Sequence, residues 1–107
     1  MFYSRVFDRK SGRLLGYISD LTAEGTMLIS DEPIEPDQIY RLSMDLPEES
    51  FDKDKVMFDA RCIWCKPDID PHFFIAGFQL IDVSAEDIEI IDRIVQEYGF
   101  RDSTYNT

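Results

Sequence analysis

The sequence predicts a mainly β domain, with six short antiparallel strands in a small barrel or sandwich and one α-helix at the C-terminal end. Three observations carry that expectation. Apolar and polar residues alternate with period two as far as Ile81. After Val83 the apolar period changes to three or four. The chain has 107 residues, the size of one domain with one core and too short for a multidomain enzyme.

The elements follow in order. Phe2 to Arg9 is rich in aromatics and ends at the turn Lys10-Ser11-Gly12-Arg13, and Leu14 to Leu21 returns beside it as a hairpin. Gly25 to Ser30 is a third strand, closed by Asp31-Glu32-Pro33. Pro36-Asp37 opens a fourth, in which Tyr40, Leu42, Met44 and Leu46 alternate with Arg41, Ser43 and Asp45. That alternation gives one buried and one wet face. Pro47 to Lys55 is acidic and reads as an exposed loop. Val56, Phe58, Ala60, Cys62 and Trp64 form the cleanest inward row in the chain. Pro67 to Pro71 is a further loop, and Phe73 to Ile81 is a nearly continuous apolar strand. Closing six such strands removes the edges they would otherwise expose.

Ser84 then serves as a helix N-cap, with Asp87 in the capping-box position usually held by Glu. Ile88, Ile91, Ile94, Val95 and Tyr98 make one apolar stripe, and Gly99 is the expected residue just past the helix end. Residues 1–101 are expected to form the domain and 102–107 a frayed tail.

Charge limits the partners. The formal net charge is −11, so a general nucleic-acid binder is excluded for want of a broad cationic footprint, and an anionic membrane surface is excluded on the same ground. The charge is uneven. Residues 1–13 carry a net +3, leaving −14 for the rest, so a small anion belongs near the N-terminal arginines. A solvated strand face is the plain alternative. There is no apolar run long enough for a membrane span and no signal-peptide pattern, which places the chain in the cytoplasm.

Neither the cysteines nor the histidine makes a chemical constellation. In a regular strand, Cys62 and Cys65 of Cys62-Ile63-Trp64-Cys65 point to opposite faces, their Cα atoms about 10 Å apart. Cys62 is then core and Cys65 surface. A zinc site lacks ligands, since His72 is the only other soft donor. No nucleophile elbow, phosphate loop or dinucleotide fingerprint is present, so no catalytic residues are assigned and the chain reads as a non-enzyme.

Asp20-Leu21-Thr22-Ala23-Glu24-Gly25 is more informative. Asp and Thr side chains hold nearby amides and Gly accepts a positive φ, which makes a well-formed turn. The same groups suit a purine: a carboxylate accepts from the N1–H and N2–H edge of guanine, while a guanidinium grips O6 and N7 or a phosphate.

With Ala60-Arg61-Cys62-Ile63-Trp64, Ala76-Gly77-Phe78-Gln79-Leu80 and the Ser84-Ala85-Glu86-Asp87 helix start, this hexapeptide resembles the PilZ domain, over residues 2 to 100. The resemblance implies a six-stranded antiparallel barrel with a C-terminal helix. It also implies a non-catalytic receptor of the bacterial cytoplasm, with cyclic di-GMP as ligand, no cofactor and no metal. The family's Asp/Asn-x-Ser-x-x-Gly motif falls on Asp20, Thr22 and Gly25, with Thr in place of Ser. Its Arg-x-x-x-Arg motif falls on Arg5 and Arg9, which the alternation places inside the first strand, on one face and about 13 Å apart. Arg5 and Arg9 are then expected to contact guanine edges and phosphates, Asp20 and Thr22 a guanine, and Gly25 to permit the close turn. A protein partner would read the ligand state. The alternative is a degenerate PilZ domain that binds no nucleotide and acts as an adaptor through its acidic surface and the Tyr98/Phe100 region.

Overall fold

In the computed structural model, residues 4–46, 51 and 53–98 are described. Six strands and one helix follow in the expected order: β1 (Arg5–Asp8), β2 (Leu14–Leu21), β3 (Gly25–Ser30), β4 (Ile39–Asp45), β5 (Lys55–Pro67), β6 (Phe74–Asp82) and α1 (Ala85–Tyr98). The strands close into a barrel in the spatial order β1-β2-β3-β6-β5-β4, every neighbouring pair antiparallel. The expected choice between barrel and sandwich is settled by β1, which pairs with β2 on one side and β4 on the other. Among the described residues no strand is left with an open edge.

Alternation fills the barrel. Val6, Ile18, Leu28, Leu42, Met44 and Val56 are completely buried, as are Ala60, Cys62 and Ala76. The helix adds Ile90, Ile91 and Ile94 to this core. Its inward stripe runs through Asp87, Ile90, Ile91 and Ile94 at helical spacing, and Ile88, expected in the stripe, is only half-buried. Ser84 is the N-cap: its Oγ accepts from the Asp87 amide at 3.1 Å and its carbonyl from the Ile88 amide at 2.9 Å. The Asp87 carboxylate does not complete the box. It accepts instead from Lys53 Nζ at 2.8 Å, which neutralises a buried acid on the apolar face.

Four register irregularities interrupt the ladders, at Val6/Phe7, Ile18/Asp20, Asp59/Ala60 and Cys62/Trp64, and the second and fourth bear on the site. Between Ile18 and Asp20 the β2 register against β3 slips by one residue, and between Cys62 and Trp64 the β5 register against β6 does the same. Each is a bulge, an extra residue that reverses the facing of everything beyond it. Trp64, expected inside, is therefore outside and 36% exposed. Cys65 returns to the inner side. It packs against the core, and its Sγ accepts from the Ile34 amide at 3.3 Å, so the two cysteines do not face apart as a regular strand would require. Gly99, Phe100, the 102–107 tail, residues 1–3 and most of the acidic stretch before Asp54 lie outside the described residues.

Candidate functional site

The Asp20 segment forms the β2–β3 hairpin. The Thr22 amide donates to the Gly25 carbonyl at 2.8 Å, and Thr22 Oγ1 accepts from the amides of Glu24 and Gly25 at 3.2 and 3.1 Å. The threonine hydroxyl thus shapes the turn. Gly25 was expected to take a positive φ, but among the described glycines only Gly12 does. What requires glycine at this position is space: a Cβ there would lie 2.7 Å from the Phe78 carbonyl oxygen on β6. Asp20 Oδ1 accepts from the Leu21 amide at 2.9 Å, and its other oxygen has no protein partner among the described residues.

Strand register assembles the rest. Asp20 pairs with Met27, Met27 with Gly77, and Gly77 with Trp64, so one row crosses β2, β3, β6 and β5 on the outer wall. The two bulges bring the ends of this row outward. The Trp64 ring lies over Gly77, where a Cβ would come within 2.5 Å of the indole, so only glycine leaves the ring its place. These four residues, with Thr22, Gly25 and Ile63, line an open pocket of about 280 Å³. A carboxylate stands at one end and a flat aromatic at the other. Asp20 and Trp64 are three strand spacings apart, roughly 14 Å at the backbone, a span suited to a planar polar ligand.

Of the residues singled out in the sequence, Asp20, Thr22 and Gly25 line this pocket, and Trp64, expected in the core, lines it with them. Its signal was present in the pairing of the only tryptophan with a glycine in the neighbouring apolar strand. The alternation had already assigned Trp64 to the core.

The predicted arginines stand elsewhere. Arg5, on β1, is bound to Asp45 on β4: Nη2 and Nε lie 2.8 and 2.9 Å from Oδ2. Its guanidinium also sits 5.3 Å from the centroid of Phe7. Arg9, just beyond β1, is 2.8 Å from Asp59 on β5. It lines a second, larger concavity of about 750 Å³ with Asp8, Lys10, Glu35, Tyr40 and Arg41. Neither arginine lines the Asp20–Trp64 pocket. The larger concavity has cations and carboxylates interspersed and no exposed aromatic face. Tyr40 on its wall is half-buried, edge-on to Phe78 at 5.9 Å, and burial followed by the nearby Cys62 raises its pKa.

His72 Nδ1 lies 2.9 Å from Asp70 Oδ1 in an exposed turn, and the His72 amide and ring together lower the Asp70 pKa. Among the described residues no group of three or more His, Cys, Asp or Glu could hold a metal ion, and no helix is long and apolar enough to cross a membrane.

The fold is a small closed β-barrel with one C-terminal helix, and the candidate site lies on its outer wall. The chain belongs to the PilZ domain family, which matches residues 4–97. Among solved structures it is similar to the Bacillus subtilis inhibitor of motility (MotI/DgrA), with a TM-score of 0.69 and 14% sequence identity. That likeness covers 92% of this chain and 47% of the other, so the chain spans about half the length of its neighbour. No curated protein matches it. PilZ domains are in general non-catalytic binding modules, and the family is one of cyclic di-GMP-type receptors and adaptors.

Proposed function

We propose that this chain is a PilZ-type cyclic di-GMP receptor module of the cytoplasm that passes its ligand state to a protein partner. The observation that carries the reading is the outer row Asp20–Met27–Gly77–Trp64. The open oxygen of Asp20 accepts from the N1–H and N2–H edge of a guanine, and the indole of Trp64 supplies a stacking surface. Thr22 and Gly25 fix the hairpin that aims Asp20. Arg5 and Arg9 join the ligand by exchanging Asp45 and Asp59 for guanine or phosphate, which loosens the contacts of β1 and its following turn with β4 and β5. That exchange is the route by which a partner senses occupancy.

Calorimetric titration with cyclic di-GMP tests the reading, with the fluorescence of Trp64, the only tryptophan, as a second readout. Saturable heat and a change in Trp64 emission are expected. Asp20→Ala should weaken binding about tenfold or more, the usual loss for a charge-assisted hydrogen bond. A wild-type chain that gives no saturable heat at tens of micromolar ligand is the nucleotide-free adaptor instead.

A further inference from the structure

Resting on the cyclic di-GMP reading, we infer that Arg61 and Lys66, on the rows that flank the Asp20–Trp64 pocket, are its phosphate-binding residues, available without breaking an ion pair. Two further rows of the outer wall flank the row that builds the pocket. On one side Gly25 pairs with Gln79 and Gln79 with Arg61. On the other, Tyr17 pairs with Ile29, Ile29 with Ile75, and Ile75 with Lys66. Each flanking row is two residues along β6 from Gly77, about 7 Å by the strand rise. The bulge at Ile63 puts Arg61, Trp64 and Lys66 all on the outer side of β5, with the two cations bracketing the indole.

Their chemical state differs from that of Arg5 and Arg9. Arg5 and Arg9 are each held by a carboxylate at 2.8 Å. Arg61 and Lys66 are exposed, and among the described residues neither has a carboxylate partner. The Lys66 ammonium lies against the pocket's own aromatic, Nζ 5.4 Å from the Trp64 ring centroid. A base arriving on the indole displaces that ammonium toward the ligand's edge, where the phosphates are. The need for these cations is local. Asp20 and Glu24, on the same hairpin, would otherwise repel a doubly charged ligand.

The test measures cyclic di-GMP binding by calorimetry and Trp64 fluorescence for wild type, Arg61→Gln, Lys66→Gln and the double variant, with thermal melts to show that each is folded. Uncharged guanosine is the second probe. Each single variant should lose about tenfold in affinity for cyclic di-GMP and the double variant more, while the Trp64 response to guanosine stays unchanged. A double variant that binds cyclic di-GMP like wild type overturns the inference and leaves the receptor reading intact. So does an equal loss for guanosine, which would make the two residues structural. Dependence on Arg5 and Arg9 alone would do the same and return the phosphates to β1. Absence of wild-type binding removes the receptor reading itself, and this inference with it.

Discussion

Gly77 and Trp64 constrain each other. An alanine at position 77 would place its Cβ 2.5 Å from the indole, with no room to share. Gly77→Ala should therefore leave the barrel folded but tilt Trp64 off the wall, shifting its emission and weakening cyclic di-GMP binding at least tenfold. Unchanged emission would mean that the ring does not rest on Gly77. Gly25→Ala acts on stability instead, because its Cβ meets the Phe78 backbone oxygen, and about 1–3 kcal/mol should be lost in denaturant melts. The cysteines show how alternation misleads. Counting residues along β5 puts Cys62 inside, Trp64 inside and Cys65 outside, and one extra residue at the bulge reverses the last two. Thiol labelling should find Cys65 slow, since its sulfur is half-buried and bonded to the Ile34 amide. Cys62 should react only on unfolding, burial and then the neighbouring Cys65 having pushed its thiol pKa up. Rapid labelling of Cys65 would put it back on the outer wall.

The helix was the most legible element, because its cap and stripe are local signals. Ser84→Ala should cost about 0.5–2 kcal/mol through the lost bond to the Asp87 amide. Ile91→Ala should cost about 2–5 kcal/mol, since Ile91 is completely buried among the barrel's inner residues. A neutral Ile91→Ala would mean that the helix does not close the core. Less legible was the fate of Asp87, which looked like a capping acid and is a buried ion-pair partner of Lys53. Nothing in local spacing links positions 34 residues apart. The hydrogen bond to Asp87 raises the Lys53 pKa above its ordinary 10.5. The stability this pair supplies is thus fully present below pH 10.5 and lost as pH climbs through the raised value. Lys53→Met should lower the melting temperature at pH 7, and its difference from wild type should shrink at strongly alkaline pH. A difference that persists there would assign the effect to packing of the lysine stem.

The barrel as a whole could be read from six alternating runs and their turns, but the wall that carries Asp20 and Trp64 could not. That wall is made by register: Asp20, Met27, Gly77 and Trp64 come from four strands, and two bulges decide that its ends face outward. Linear charge counting likewise favoured residues 1–13, whereas Arg5 and Arg9 are held in ion pairs with β4 and β5, and Arg61 and Lys66 stand on the rows that flank the pocket. The charge of −11 gives this arrangement an opposed pair of salt effects. Screening relieves repulsion among carboxylates spread over the surface, so the free chain's melting temperature should rise from about 50 to about 300 mM salt. Attraction between two exposed cations and a dianion is screened over the same range, so wild-type affinity for cyclic di-GMP should fall. In the Arg61→Gln, Lys66→Gln double variant the rise in melting temperature should remain while the salt dependence of binding flattens. Wild-type affinity that grows with salt would show that repulsion from the acidic body outweighs the two local cations, and phosphate binding would then need the arginines of β1 to leave Asp45 and Asp59.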